Sequence, residues 1–341
     1  MEDSSLNDVL KSYGIISENI SPLGNGLINY TWKVIAGKEE YVLQKINQHV
    51  FKEPDKINEN IMMVGDYLSG NQPDYLFPTP LKTTDGEGMV IKNGDYYRLI
   101  PFIQDSVTLQ SAQSADQAYE AARQFSKFAF YLKDFPVERL NITIPDFHNL
   151  NLRFIQFENA KKNGNPRRIK EASYLIDFLN DQKFVLDEYN KIATQHLLKK
   201  RVMHHDTKIS NVLFDEQNKG ICVIDLDTMM PGFFISDLGD MMRNYLSPAN
   251  EEEIDLNKVH VRRDFYDAIC EGYKSFLSKE LTEAENAHFH YSGSFMIYMQ
   301  ALRFLTDYMN NDIYYGITYP AQNLNRAKNQ ARLFVEYQNL A

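Results

Sequence analysis

The chain has 341 residues, 43% of them hydrophobic, and a formal net charge of -10. Its length favours two lobes or domains over a single compact core. Its acidic balance excludes the basic face expected of a nucleic-acid or membrane-surface protein, so neither partner is predicted.

The composition also indicates a cellular location. No segment reaches the roughly 18 uninterrupted apolar residues that a membrane helix needs, and the start, MEDSSLNDVL, does not read as a secretory signal. Cys222 and Cys270 are too few for a disulfide framework or a zinc set. We therefore expect a cytoplasmic protein. The acidic run at 251–255 is interpreted as a solvated loop, with a surface that attracts a cationic substrate as the alternative.

The first hundred residues predict a small β-rich lobe. YTWKVIA and EYVLQKI, separated by the turn GKEE, predict a hairpin that is entered through the segment GNGLIN. A helix is predicted from about 55 to 68, where apolar residues recur at helical spacing. The strand YYRLIPFI ends the lobe, which places the hinge between 100 and 105.

From about Ser114 onward the pattern is helical, with one interruption. Segments such as AYEAARQFSKFAFYL carry apolar residues at three-and-four spacing. The interruption consists of NVLFDE, a turn at QNKG, and ICVIDLD, which predict a short hairpin. The prediction is an α+β fold with two lobes, a β-rich lobe over residues 1–103 and a mainly helical lobe over 104–341.

Polar residues flank this second hairpin at spacings that suit phosphoryl transfer. His204, Asp206 and Asn211 fit H-x-D-x-x-x-x-N, and Asp225 ends the returning strand. In such a transfer one Asp orients the attacking hydroxyl, while a second Asp and an Asn hold magnesium beside the nucleotide phosphates. Each residue alone could cap a turn. Together they predict Asp206 as the catalytic residue and Asn211 and Asp225 as magnesium ligands, with His204 bracing the loop.

These motifs resemble the core of the protein-kinase-like fold, and more closely its aminoglycoside and choline phosphotransferase branch. The sequence departs from protein kinases because His205 replaces the Arg of H-R-D and 225–227, Asp-Leu-Asp, replaces D-F-G. No A-P-E segment follows, which disfavours a protein substrate. No G-x-x-x-x-G-K-[ST] motif occurs, which argues against a P-loop enzyme.

The resemblance implies a nucleotide site in the first lobe, with ATP and Mg²⁺ as cofactors. Gly24, Asn25 and Gly26 would form a loop whose backbone approaches the phosphates. Asn29 stands where protein kinases have the last glycine of G-x-G-x-x-G. Lys45, at the end of VLQK, would contact the phosphates; the alternative is a surface lysine at a strand end.

Two further elements of the first lobe complete this implied site. Glu59, in the predicted helix, would form an ion pair with Lys45, and Glu53 is the rival for that role. Pro101 and Ile103 would line the nucleotide cleft near the hinge.

Longer strings over almost the whole chain resemble the N-acetylhexosamine 1-kinases: GNGLIN, YVLQKIN, RLIPFI, PDFHNL, HHDTKISNVLFD, VIDLDTMMPG, DLGDMMR, ALRFLTDYMNNDIYY and NLNRAKNQARLF. Those enzymes use ATP to phosphorylate the anomeric hydroxyl of N-acetylglucosamine or N-acetylgalactosamine. The resemblance thus implies a sugar substrate, which composition and spacing do not.

Several side chains are predicted to bind this sugar: Asp206, Asp240, Arg243, Arg303, Asp307 and Tyr314, with Tyr315 as the alternative to Tyr314. Asp240 and Arg243 could equally form an i,i+3 salt bridge, and Arg303 and Asp307 an i,i+4 pair. Asp237 is interpreted as a helix cap.

Two other functions stay open on the sequence alone. An aminoglycoside or amino-alcohol kinase would suit the acidic balance, although Arg243 and Arg303 would not favour a cationic substrate. A catalytically silent nucleotide-binding scaffold is the second alternative. It is disfavoured because Lys45, Asp206, Asn211 and Asp225 are all present.

Overall fold

The structure is a computed structural model that describes residues 2–24 and 28–340. Within these ranges the helices are α1 (Glu2–Ser12), α2 (Pro54–Asn71), α3 (Ala115–Tyr131), α4 (Leu150–Asn163), α5 (Pro166–Glu171), α6 (Ser173–Asp181), α7 (Phe184–Gln195), α8 (Phe234–Tyr245), α9 (Arg263–Leu277), α10 (Glu283–Ala287), α11 (Tyr291–Met309) and α12 (Gln322–Gln338). The strands are β1 (Asn19–Pro22), β2 (Tyr30–Ala36), β3 (Glu39–Lys45), β4 (Val90–Lys92), β5 (Asp95–Pro101), β6 (Val107–Thr108), β7 (Arg201–Met203), β8 (Val212–Phe214), β9 (Gly220–Val223) and β10 (Met230–Gly232).

The N-terminal part is a five-stranded antiparallel sheet in the order β1-β2-β3-β5-β4. The predicted hairpin is formed by β2 and β3, with Tyr30 opposite Lys45. Successive side chains of a strand point to opposite faces, so each strand contributes to two environments. One face packs against α1 in a small separate core, formed by Leu6, Val9, Leu10, Tyr13, Val34, Leu43, Tyr97 and Leu99.

The opposite face of this sheet looks toward the helical part of the chain. Its central residues are Gln44 and Arg98, which lie opposite each other on β3 and β5. Helix α2, predicted from about 55 to 68, spans Pro54–Asn71 and begins with Pro54 at a position where a missing N–H is harmless. Its inner side chains, Ile57, Ile61, Val64 and Leu68, join the larger core.

The helical part is built around α11. Almost every side chain of this helix is buried, and it packs against α4, α7, α8 and α12. Its crossing with α8 is close because α8 carries Gly239 there: a Cβ on Gly239 would lie 2.3 Å from the Ser292 carbonyl oxygen. The two-part α+β architecture is therefore confirmed. The division at residue 103 stays a prediction; β5 ends at Pro101 and α3 begins at Ala115.

Short strands in the helical part position the predicted chemistry. The predicted second hairpin is formed by β8 and β9, and β7 pairs with β10. The segment 204–211, here called the catalytic loop, runs from β7 to β8, and Asp225 follows β9 directly. The pairings thus bring residues 206, 211 and 225 to one end of the hairpin. None of the helices formed by residues 2–24 and 28–340 is both long and apolar enough to cross a membrane.

Candidate active site

Two carboxylates of α8 hold the backbone of the catalytic loop. Asp237 accepts the N–H groups of His204 and His205 at 3.0 and 2.8 Å, and Asp240 accepts that of Thr207 at 2.9 Å. Both carboxylates are buried, where charge-assisted hydrogen bonds are strong. Burial nevertheless raises the pKa of Asp237 to about 6. The loop is therefore positioned by α8 and not by its own turn propensity.

His204 ties the loop to the strand on its other side. Its Nε2 lies 2.9 Å from the Ile224 carbonyl oxygen, and its own carbonyl accepts the Thr228 hydroxyl at 2.6 Å. The ring is fully buried and meets Phe125 edge to face. These contacts agree with the bracing role predicted for His204.

His205 adopts a left-handed backbone conformation, with φ 66°. Its ring occupies space that Gly232 leaves open, since a Cβ on Gly232 would lie 2.3 Å from the ring Cε1. The ring Nδ1 lies 3.4 Å from Nδ1 of His148. Burial lowers the pKa of His205 to about 4, so the side chain is a neutral neighbour of Asp206.

Asp206 projects from this loop toward two polar partners. Its Oδ2 accepts from Lys208 Nζ at 3.0 Å and from Asn211 Nδ2 at 3.1 Å. Partial loss of hydration acts to lower the pKa of the exposed Lys208, but the carboxylates of Asp206, Asp240 and Asp225 hold it above the usual value. Sequence reasoning missed Lys208. The signal was a basic residue two positions after Asp206 inside the same motif.

Asp225 lies at the cleft between the two parts of the chain, also in a left-handed conformation, with φ 58°. Its carboxylate forms no hydrogen bond or ion pair within the described ranges. The side chain of Asp225 is exposed, yet loss of hydration beside the surrounding chain, followed by the carboxylates of Asp227 and Asp206, raises its pKa above the usual value. A nearby cation would relieve this accumulation of negative charge.

Asn211 and Asp225 fit a hard divalent cation such as Mg²⁺. Asn211 Nδ2 is fixed on the carbonyl and carboxylate of Asp206, which leaves Oδ1 on the other arm of the amide. The donors available are a carboxylate and an amide oxygen, the ligands that Mg²⁺ prefers. In the part of the chain that is described, no cluster of three His, Cys, Asp or Glu side chains could hold a metal ion. A cation here would therefore depend on further oxygen ligands, such as nucleotide phosphates and water.

Asp227, two residues further on, connects the two parts of the chain. Its Oδ1 lies 2.5 Å from Nη1 of Arg98 on β5, and its Oδ2 accepts from Asn29 Nδ2 at 2.7 Å. Arg98 in turn donates from Nε and Nη2 to Gln44 Oε1, at 2.9 and 2.7 Å. Arg98 is 2% exposed and Asp227 1%. The pair is thus buried between the sheet and the catalytic region.

Lys45 does not take part in this buried cluster. It follows Gln44 on β3, so its side chain lies on the other face of the sheet, the face of Leu43 and α1. There its Nζ forms an ion pair with Asp95 at 2.6 Å and lies over the Tyr30 ring. A contact between Lys45 and nucleotide stays a prediction, and this position does not support it.

The predicted ion pair between Lys45 and Glu59 is wrong. Glu59 is exposed and accepts from Asn141 Nδ2 at 3.1 Å. The neighbouring Asn60 fixes α2 instead: it donates to the carbonyls of Asn141 and Met229 and accepts the Asn141 N–H. Glu53, the rival partner, pairs with Lys56. Helix α2 is therefore held by amide hydrogen bonds to the helical part.

The remaining nucleotide-site predictions are only partly described by the structure. Asn25 and Gly26 lie outside the described residues, and Gly24 has the positive φ, 68°, that favours glycine. At the hinge, Phe102 N–H donates to the Glu40 carbonyl at 3.0 Å, and Ile103 accepts the Ser106 hydroxyl. Pro101 ends β5 and is exposed. The nucleotide contacts of Gly24, Pro101 and Ile103 stay predictions.

Among the residues predicted to bind the sugar, Asp240 and Arg243 form the i,i+3 salt bridge that the sequence analysis left open. Asp240 Oδ1 lies 3.2 Å from Arg243 Nε. Arg243 also pairs with Glu251 at 3.0 Å. Arg326 pairs with Glu252. The acidic run is a loop, as interpreted from the sequence, and its Glu251 and Glu252 are paired with arginines while staying partly exposed.

Arg303 and Asp307 do not pair with each other. Asp307 is 4% exposed and accepts the N–H groups of Tyr314 and Tyr315 at 2.8 and 2.9 Å. It also accepts from Asn323 Nδ2 at 3.0 Å. The carboxylate of Asp307 therefore anchors the α11–α12 loop (310–321), and a direct sugar contact by Asp307 stays a prediction without support from this geometry.

Arg303 is one of the few side chains of α11 that is not buried. It donates to Gln300 Oε1 at 2.9 Å and lies 3.4 Å from the Tyr314 hydroxyl. Tyr314 itself is 70% exposed. Both residues therefore present polar atoms to solvent at the end of α11, as a substrate site requires.

Arg153, a basic residue of α4, was not singled out from the sequence. Arg153 on α4 donates to the carbonyls of Asp146 and Phe147, which fixes the segment that carries His148. Burial lowers the pKa of His148, and the positive charge of Arg303 lowers it further. His148 therefore lies beside His205 of the catalytic loop.

A β-sheet that closes over a helical part, with an Asp-bearing loop and a second carboxylate at the cleft, defines a kinase-like phosphotransferase. The chain belongs to the phosphotransferase enzyme family, whose sequence profile matches residues 19–273. The chain is therefore an enzyme that transfers phosphoryl groups, and its kinase-like fold is confirmed.

Solved structures share this fold at low identity. An aminoglycoside phosphotransferase from Alicyclobacillus acidocaldarius is 12% identical with a TM-score of 0.68, covering 98% of this chain and 95% of that one. A microcompartment-associated aminopropanol kinase is 16% identical, with a TM-score of 0.65 and coverages of 99% and 97%. Spectinomycin phosphotransferase APH(9)-Ia, in complex with ADP and spectinomycin, is 14% identical with a TM-score of 0.53, and the coverages are 97% and 98%.

Proposed function

We propose that the protein is an ATP-dependent kinase that phosphorylates the anomeric hydroxyl of an N-acetylhexosamine to give the sugar 1-phosphate. Strings along almost the whole chain resemble the N-acetylhexosamine 1-kinases. The fold is also that of phosphotransferases, one of which binds ADP. Mg²⁺, held by Asn211 and Asp225 together with phosphate oxygens, would neutralise charge on the phosphates.

One observation carries the choice of a neutral, oxygen-rich acceptor. Two of the carboxylates predicted to bind the sugar, Asp240 and Asp307, are engaged by backbone N–H groups or by arginine. The neighbouring Asp237, interpreted from the sequence as a helix cap, is likewise engaged by backbone N–H groups. The polar side chains that stay available are Arg303 and Tyr314. A cationic amino alcohol would require a carboxylate that is not already paired, whereas sugar hydroxyl and acetamido oxygens match guanidinium and phenol donors.

In the proposed reaction Asp206 orients the sugar O1–H and accepts its proton. The O1–P bond forms as the bond from the γ-phosphorus to the ADP oxygen breaks. Lys208, beside Asp206, supplies positive charge near the transferred group, and α8 holds the loop in place. Positioning and charge neutralisation provide most of the rate in such a transfer.

The test is ADP release from ATP with a panel of acceptors: N-acetylglucosamine, N-acetylgalactosamine, their 1-O-methyl glycosides, choline, ethanolamine and an aminoglycoside. We expect turnover with a free N-acetylhexosamine, a 1-phosphate product by ³¹P NMR, and no turnover with the methyl glycosides. Equal rates on a methyl glycoside would exclude the anomeric hydroxyl. Activity on the amines alone would replace this proposal with an amino-alcohol or aminoglycoside kinase, and ATP binding without turnover on any acceptor would favour a silent scaffold.

A further inference from the structure

The cleft face of the N-terminal sheet carries one deeply buried cation. Arg98 lies on β5, opposite Gln44 of β3, and is 2% exposed. Lys33 is on the same face of the sheet but is paired with Glu40 and lies over the Phe102 ring. Lys45 points to the opposite face and is paired with Asp95. The buried positive charge on this face is therefore Arg98 of β5, whereas the kinase motif places its lysine on the neighbouring strand, β3.

The donor groups of Arg98 are only partly used. A guanidinium has five N–H donors. Nε and one N–H of Nη2 go to Gln44, and Nη1 faces Asp227. This leaves one N–H on each terminal nitrogen without an acceptor within residues 2–24 and 28–340. Nη1 is also buried without a well-aligned hydrogen bond. A buried arginine with unused donors is poised for an anionic ligand, because guanidinium matches phosphate oxygens.

Asp227 places this cation beside the transfer site. It follows Asp225 by two residues, and its Oδ1 lies 2.5 Å from Nη1 of Arg98. The other oxygen of Asp227 accepts from Asn29, the last residue of GNGLIN. The Asp227 carboxylate thus connects Asn29 of the predicted phosphate loop and Arg98 of the sheet to the segment that carries Asp225, the predicted metal ligand.

We propose that Arg98, and not Lys45, is the sheet-side cation that binds the nucleotide phosphates, and that Asp227 is the positioning residue that holds it. Gln44 occupies the cleft-facing position of β3 and orients the guanidinium. The inference rests on the nucleotide part of the proposed function and is independent of which acceptor is used.

The experiment compares ADP with adenosine, because only ADP carries phosphates. Their affinities are measured by calorimetry, without acceptor, first in EDTA and then with Mg²⁺. For Arg98→Met we expect ADP affinity to fall about tenfold or more in both conditions, the size of a lost charged hydrogen bond. Adenosine affinity should change less than about twofold. Lys45→Met, which removes the cation on the other sheet face, is the matched control and should leave both affinities within about twofold.

Arg98→Met leaves the buried Asp227 carboxylate without a positive partner and could prevent folding, so Arg98→Lys is measured in parallel. It keeps the charge but loses the planar fork, and we expect a smaller, still selective loss of ADP affinity, about threefold or more. The inference is overturned if Arg98→Lys or a folded Arg98→Met binds ADP as the parent does. It is also overturned if ADP and adenosine weaken together, or if Lys45→Met has the larger effect. A parent protein that binds neither ligand would overturn the proposed function as well.

Discussion

Individual carboxylates in this enzyme have different tasks although they look alike in the sequence. Asp206 and Asp225 have oxygen atoms available at the cleft, whereas Asp237 and Asp240 are occupied by loop N–H groups. A D-x-x-D pattern on a helix does not reveal whether its side chains meet a ligand or the protein's own backbone. Three-dimensional contacts decide this, so the motif residues could be predicted from the sequence better than their partners.

At Asp206 we expect that substitution by Asn, which keeps the shape and removes the charge, lowers kcat at least about a hundredfold. ATP affinity should stay close to that of the parent, because in the proposed reaction Asp206 contacts the acceptor and not the nucleotide. Steady-state kinetics and ATP titration check this. Asp215→Asn, in the turn of the β8–β9 hairpin, is the control. Near-parental turnover of pure Asp206→Asn protein would remove the catalytic role.

The two proposed metal ligands should contribute unequally to Mg²⁺-dependent ATP binding. Asp225→Ala is expected to abolish Mg²⁺-dependent strengthening of ATP binding, and Asn211→Ala to reduce it less, because a carboxylate brings a full charge and an amide only a dipole. Titrations with ATP in EDTA and in Mg²⁺ give the comparison. If Asp225→Ala keeps the full Mg²⁺ effect, another residue holds the metal.

Among the elements, β3 marks the limit of sequence reasoning. The hairpin, helix α2 and the β8–β9 hairpin were all predicted from periodicity and turn residues, and the structure contains them. The sequence did not indicate which face of the sheet Gln44 and Lys45 occupy, because both faces of β3 are covered. With α1 on one side and the cleft on the other, the alternation has no polar face that marks the exterior.

The end of α11 should determine acceptor affinity. Arg303→Ala is expected to raise KM for the N-acetylhexosamine tenfold or more, about the size of one lost charged hydrogen bond, with little change in KM for ATP. Arg332→Ala is the control, since Arg332 pairs with Glu336 on the surface of α12. Equal increases in both KM values would indicate a general structural defect and not a sugar contact.

At the scale of the whole molecule, hydrogen bonds between buried polar side chains join the N-terminal part to the helical part. Asp227 meets Asn29 and Arg98, and Asn60 meets the carbonyls of Asn141 and Met229. None of these partners is near in sequence. Their pairing follows from the docking of sheet on helices, which is why motif spacing could not indicate it.

Removal of the Asn60 amide should therefore destabilise the whole protein. We expect Asn60→Ala to lower the free energy of unfolding by about 2–4 kcal/mol, because it leaves buried backbone groups of residues 141 and 229 without partners. Urea denaturation with a cooperative transition measures it. Glu59→Ala, on the exposed side of the same helix, should cost less than about 1 kcal/mol. A similar loss for both would mean that α2 is held by its apolar face alone.

The α11–α12 loop has an evolutionary consequence. Its described hydrogen bonds come from α11, α12 and the start of α5: Asp307 holds Tyr314 and Tyr315, Asn323 holds Gly316, and Arg168 pairs with Asp312. The outermost side chain, Ile313, is 82% exposed and takes no part in this support. The residues that hold this loop are thus separate from those that hold the catalytic loop, so its exposed residues can change without disturbing the catalytic loop. We expect a lineage to drift between acceptors through residues 313–318 while Asp206 and its supports stay in place.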